Sequence, residues 1–203
     1  MIKIKNTDKL SCNSSSLFVS YLRGVQISCG NYPYKEDIFN FITIIKNNLL
    51  ESEYYATNVL GGKTDWNLFN NHPLFIKFLT WFINKHQTTN PWLQFFLEKR
   101  KVTNSWGNEL KKGDSVKPHM HNDYHGILYL TKGAPLILPE LDVEIVPDVG
   151  DYYFFPPQLL HYVNEVTEDG PPRYNLIFNI GDLNNWDKNK RINELTGTVP
   201  SKD

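Results

Sequence analysis

Three residues able to bind a metal ion fall within five positions of this chain, in Lys117-Pro118-His119-Met120-His121-Asn122-Asp123. A fourth, His161, follows the aromatic run Asp151-Tyr152-Tyr153-Phe154-Phe155-Pro156. Arg173 then opens a strand-like run, Arg173-Tyr174-Asn175-Leu176-Ile177-Phe178-Asn179. Residues i and i+2 share a face of an extended strand. If 119–123 is extended, His119, His121 and Asp123 all point one way, and His161 can arrive from a neighbouring strand. Three protein ligands on one side of an octahedron leave three positions open, the geometry of non-haem Fe(II) oxygenases. A bidentate 2-oxo acid fills two of those positions and dioxygen the third.

Residue types alone leave the ligand set open. His121-x-Asp123 with His161 makes a two-histidine, one-carboxylate set. His119-x-His121 with His161 makes an all-histidine set. The member left over would orient a ligand by hydrogen bonding. His125 reads as peripheral, and His72 and His86 fall in a helical region with no partner pattern. The bland alternative is histidines that serve solvent or a turn; two of them plus an aspartate on one strand face weigh against it. The guanidinium of Arg173 offers a bidentate fork to a carboxylate. A charge inside a β-run needs a partner, although Pro172 just before it also allows an edge strand with the arginine facing water. Tyr129, in Ile127-Leu128-Tyr129-Leu130, is a core tyrosine by residue type and a hydroxyl donor to the same carboxylate by position.

The elements that must position these residues change in texture along the chain. Residues 17–28 read as one strand. Ile38, Phe41, Ile42, Ile45 and Leu49 recur at helical spacing, which predicts an amphipathic helix over 35–50. A second helix is expected from Pro73 to about His86, with proline in its first turn. From about residue 92, short apolar runs alternate with turn signals such as Gly113-Asp114, Lys132-Gly133-Ala134-Pro135, Val149-Gly150-Asp151 and Asp169-Gly170-Pro171-Pro172. The expected strands are 101–110, 116–122, 125–131, 135–138, 142–146, 151–155, 160–166 and 173–180. Closely spaced short strands of this kind call for a β-sandwich or barrel. The organisation expected is a single domain: a helical support region over 1–91, a β core over 92–183 and a polar tail over 184–203. Gly61-Gly62-Lys63-Thr64-Asp65-Trp66, in the first part, is expected to shape the pocket rim.

With 203 residues the chain can bury one substantial core. A formal net charge of −1 gives no electrostatic signal for nucleic acid, and Lys99-Arg100-Lys101 reads as a solvated face. Two cysteines do not make a disulfide scaffold. The first residues lack the apolar core of a signal peptide, and no run approaches the ~18 apolar residues of a membrane span. A cytoplasmic protein, in a host cytoplasm if viral, is the expectation, where Fe(II) is maintained.

From Trp106 to Asn179 the chain resembles the Fe(II)/2-oxoglutarate-dependent oxygenases, especially prolyl-hydroxylase-like members, and in particular the 2-oxoglutarate oxygenases of phages and marine bacteria. The pieces match in order. Ser105-Trp106-Gly107-Asn108 leads into Lys112-Gly113-Asp114-Ser115-Val116-Lys117-Pro118-His119-x-His121. Gly126-Ile127-Leu128-Tyr129-Leu130 resembles the apolar strand that follows the first ligands. Gly150 through His161 resembles the element carrying the distal histidine, and Arg173 through Asn179 the strand whose arginine binds the distal carboxylate of 2-oxoglutarate. The resemblance implies a mainly β protein with flanking helices: a double-stranded β-helix (jelly-roll, cupin-like) core packed on N-terminal helices. Registering Gly113 and Pro118 on the family pattern puts His119 at its histidine and His121 at its carboxylate position. The implied metal ligands are therefore His119, His121 and His161, with Asp123 as the rival. Arg173, Tyr129, Asn108 and Asn175 are the implied co-substrate contacts; Asn175 stands where the family usually has serine.

The activity implied is hydroxylation of a C–H bond with Fe(II), 2-oxoglutarate and dioxygen, on a peptidyl proline or a small amino-acid-like substrate. The alternative is a cupin-type metal-binding protein or a three-histidine dioxygenase that uses no 2-oxoglutarate. No membrane or nucleic-acid partner is expected.

Overall fold

A computed structural model describes residues 2–4, 18–22, 25–50, 58–87 and 100–182. Its elements are β1 (Ile2–Ile4), β2 (Phe18–Leu22), β3 (Val25–Asn31), α1 (Lys35–Asn47), β4 (Val59–Leu60), β5 (Gly62–Lys63), α2 (Pro73–Gln87), β6 (Arg100–Leu110), β7 (Ser115–His119), β8 (Tyr124–Tyr129), β9 (Leu136–Leu138), β10 (Val143–Ile145), β11 (Asp151–Phe155), β12 (His161–Val163) and β13 (Arg173–Asp182). They form two facing sheets, ordered β1-β10-β9-β12-β7-β4 and β2-β3-β11-β8-β13-β6-β5. From β6 onward, successive strands alternate between the sheets until β9 and β10 pair as neighbours, and the chain then winds back. This is the double-stranded β-helix.

The larger sheet buries both faces, and period-two alternation sorts its side chains. On β13, Ile177 joins the core between the sheets, while Tyr174, Leu176, Phe178 and Ile180 join the cluster under the helices. α1 carries Glu36 and Asp37 in its first turn and Lys46 in its last, as the helix dipole favours. It buries Ile38, Phe41 and Ile45. α2 starts at Pro73, with the ring of His72 accepting the Leu74 amide at 3.2 Å. Phe75, Phe78 and Phe82 line its buried face.

Several expectations shift. The run 17–28 is two strands, paired antiparallel with Leu22 opposite Val25. The first 91 residues contribute strands to both sheets as well as the two helices. β7 ends at His119 rather than 122, so 119–123 is not one extended strand. The boundary at 91/92 and the tail over 184–203 lie outside the described residues.

Candidate metal centre

β12 and β7 run antiparallel with His161 directly opposite His119, so both imidazoles leave the same end of the smaller sheet. His121 lies two residues past the end of β7. The rings of His119 and His161 are 4.3 Å apart, those of His119 and His121 4.9 Å, and those of His121 and His161 5.1 Å. One nitrogen from each of the three lies within 4.8 Å of the other two, so together they could hold a metal ion.

Their hydrogen bonds favour the ligating tautomer. Nδ1 of His119 is 2.7 Å from the Lys117 carbonyl, and Nδ1 of His161 is 2.8 Å from the Leu159 carbonyl. A carbonyl only accepts, so each Nδ1 carries the proton and each Nε2 keeps its lone pair. Nε2 of His121 and Nε2 of His161 are buried without a hydrogen-bond partner among the described residues. Burial pushes His121 down to about 3, helped by the neighbouring His161 and His119, and His161 down to about 4, helped by His119. His119 is lowered by burial too. All three are neutral at physiological pH, as metal binding requires.

Asp123 is not among them. The pairing of β13 with β6 shifts register between Asn179 and Ile180, which leaves Thr103 without a partner residue in the ladder. Its hydroxyl donates to the Asp123 carboxylate at 2.7 Å. The expectation that His119, His121 and Asp123 share one strand face fails, because β7 stops before His121 and alternation no longer governs the residues beyond it.

His125 is not peripheral. It is 3 % exposed and stacks on His121, ring centres 3.9 Å apart and planes 8° from parallel. Its Nδ1 donates to the Asn179 side-chain carbonyl at 2.7 Å, and the Asn179 amide donates in turn to Asn104 at 2.7 Å. Burial lowers its pKa well below the ordinary range. Alternation within β8 from Tyr129 back through Ile127 would have found it. His86 also has a partner, the Tyr152 hydroxyl at 3.1 Å.

Arg173 is buried, which disposes of the water-facing edge strand: β13 lies between β6 and β8. One guanidinium nitrogen donates to the Ala134 carbonyl at 2.6 Å, and Nε has no partner among the described residues. A Cβ on Gly133 would stand 2.9 Å from the Arg173 Cβ, so only glycine lets that turn close over it. The guanidinium lies 5.0 Å from the Tyr129 ring centre. Asn175 is paired with Asn108 on one side and Tyr129 on the other. The side-chain oxygens of Asn108 and Asn175 are buried without a hydrogen-bond partner among the described residues, and the buried Tyr129 hydroxyl interacts with the Arg173 guanidinium beyond ordinary hydrogen-bond distance. The residues expected at the co-substrate thus line one interior wall.

The chain shares the double-stranded β-helix fold of solved 2-oxoglutarate oxygenases. It matches the viral collagen prolyl hydroxylase of Paramecium bursaria Chlorella virus-1, solved with 2-oxoglutarate, at a TM-score of 0.57 and 13 % identity over 79 % of this chain and 98 % of that one. It matches a Pseudomonas putida prolyl-4-hydroxylase at 0.58 and 15 %, over 79 % and 95 %. HygX from Streptomyces hygroscopicus, solved with nickel and 2-oxoglutarate, matches at 0.55 and 8 %, over 77 % and 83 %. No family model and no curated protein matches the sequence. No helix among the described residues is long and apolar enough to cross a membrane.

Proposed function

We propose that this chain is an Fe(II)- and 2-oxoglutarate-dependent oxygenase that hydroxylates a C–H bond. The observation that carries the reading is a set of three neutral histidines, His161 buried and His119 and His121 half-buried, with the Nε2 atoms of His121 and His161 unpartnered among the described residues, in the same barrel as a buried arginine whose Nε is unpartnered there too. His119, His121 and His161 would hold the metal, and their second ring nitrogens or stacked neighbours fix their orientation. Arg173, with the Tyr129 hydroxyl, would bind the distal carboxylate of 2-oxoglutarate. Asn108 and Asn175 would line its path. His125, locked by Asn179, packs against His121 and shields it from water. The bound iron, with 2-oxoglutarate and dioxygen, would supply the oxidation, one oxygen atom going to the substrate and the other to succinate as carbon dioxide leaves. The fold leaves the substrate class open: one neighbour was solved with a peptide fragment and another with hygromycin B.

The test is anaerobic titration with Fe(II) and 2-oxoglutarate, reading the metal-to-ligand charge-transfer band. Wild type should form it. His119→Ala should lose iron, Asp123→Ala should keep it, and Arg173→Ala should keep iron while losing 2-oxoglutarate affinity about tenfold or more. Absence of the band in wild type would sink the reading. Indifference to Arg173→Ala would favour a three-histidine dioxygenase without a co-substrate.

A further inference from the structure

Lys63 plays no part in the site described so far. It is 6 % exposed and sits on β5 opposite Asn108 of β6. Cross-strand partners project to the same face, so Lys63, Asn108 and, two residues earlier, Trp106 look into the same interior. Its Nζ lies 2.6 Å from the centre of the Trp66 ring and 5.4 Å from that of Trp106. The two indoles meet edge-on at 4.6 Å. Trp106 is 6.3 Å from His125, which stacks on His121. A continuous wall of rings therefore runs from the lysine to the histidine cluster.

The charge of Asp65 offsets part of the burial of this ammonium, but no hydrogen bond among the described residues satisfies it. Nζ has no hydrogen-bond partner there, and neither do Trp106 Nε1 and Asn108 Oδ1 beside it. Contact with indole faces offsets only part of the cost of burying a charge. A single ammonium between aromatic walls, with one amide nearby, suits one carboxylate on a small body; a phosphate calls for more donors. β6 separates β5 from β13 and puts their strands about 10 Å apart, so Lys63 and Arg173 come from different strands of the wall, and competition with 2-oxoglutarate tells one shared carboxylate from two.

We propose that Lys63, Trp66 and Trp106 form a subsite for the free carboxylate of a small-molecule substrate, an amino acid or a related acid, with Asn108 at its border with the 2-oxoglutarate path, and hold the target carbon beside the histidine cluster. The proposal rests on the oxygenase reading, and it selects a free acid over a residue inside a peptide, which carries no carboxylate on its backbone.

The experiment follows tryptophan fluorescence under anaerobic conditions with Fe(II) and saturating 2-oxoglutarate, while the common free amino acids and their carboxamides are titrated in. At least one acid should bind saturably and about tenfold or more tighter than its amide. Lys63→Met should erase that preference, and Lys63→Arg should keep much of it. The wild-type comparison of acid with amide does not depend on any variant folding. The proposal is overturned if no acid binds, if acid and amide bind alike, if Lys63→Met keeps the preference, or if the acid competes with 2-oxoglutarate. An acid preference that depends on Lys63, in a protein that never forms the charge-transfer band, would uphold the subsite and remove the oxygenase reading instead.

Discussion

The central strands of the larger sheet bury both faces, and the faces differ in chemistry. Outward, Leu128, Leu130, Tyr152, Phe154, Tyr174, Leu176, Phe178 and Ile180 pack with the aromatic residues of α1 and α2. On that side the Tyr174 hydroxyl donates to Glu109, and the Tyr152 hydroxyl meets His86. Inward, the same strands carry His125, Tyr129, Arg173, Asn175 and Asn179 among the apolar residues, and Arg173 and Asn175 each keep a buried polar atom without a hydrogen-bond partner among the described residues. Unsatisfied buried groups cost stability. Concentrating them on one face marks that face as built for ligands, and leaves the other to hold the fold.

If so, the largest stability loss comes from the outer face. The Phe178 ring lies 5.7–6.1 Å from those of Phe75, Phe78, Phe82 and Phe154. It also fills the space over Gly126, where a Cβ would come within 2.1 Å of it. Phe178→Ala should cost about 3–5 kcal/mol and lower the melting midpoint by roughly 10 °C. Iron affinity of the folded protein should stay at the wild-type level. A loss under about 1 kcal/mol would break the division of labour.

The inner face should betray itself in acid. Its histidines have lowered pKa values in the folded chain, about 3 for His121 and about 4 for His161, against about 6.5 when unfolded. As pH falls below 6.5 the unfolded chain takes up protons that the folded chain refuses, so stability falls. The window from 6.5 to about 5 lies above the ordinary carboxylate range and isolates the histidines, including His86 on the outer face, which burial also pushes down to about 4, so the His161→Gln comparison is what reads the inner face. Melting midpoints of metal-free protein should drop across that window, and less steeply in His161→Gln. A flat profile would mean that the cluster is hydrated and readily charged.

Which face a residue takes was legible wherever a strand was. Parity along β13 puts Arg173, Asn175, Ile177 and Asn179 on one side, and all are buried. Both helices and the strands over 151–155 and 173–180 could be read from periodicity for the same local reason. Parity failed where the backbone left the strand. His121 and Asp123 come after the end of β7, and a tertiary contact, the Thr103 hydroxyl, decides where the aspartate goes. His125 was within reach of the parity argument, since it shares the face of Tyr129. Lys63 was not: β5 has two residues, and only its pairing with the distant β6 gives the lysine a direction.

Lys63 also gives the smallest and most discriminating test of the comparison, because its removal should stabilise. Burial pushes its ammonium down to about 7 in the folded chain, from about 10.4 when unfolded. The folded form therefore binds fewer protons between those values. The cost of burying the charge is fully present below pH 7, shrinks as pH rises, and disappears near 10.4. Lys63→Met keeps most of the volume and drops the charge, so at pH 7 it should raise stability by about 1 kcal/mol and the melting midpoint by about 2–4 °C. The gain should fade toward pH 10. A residue that weakens the protein at rest, yet sits between two indoles in the path to the histidines, is explained by what it binds. Were Lys63→Met to destabilise at neutral pH, the lysine would belong with Phe178 as packing, and the inner face would lose its most distinctive member.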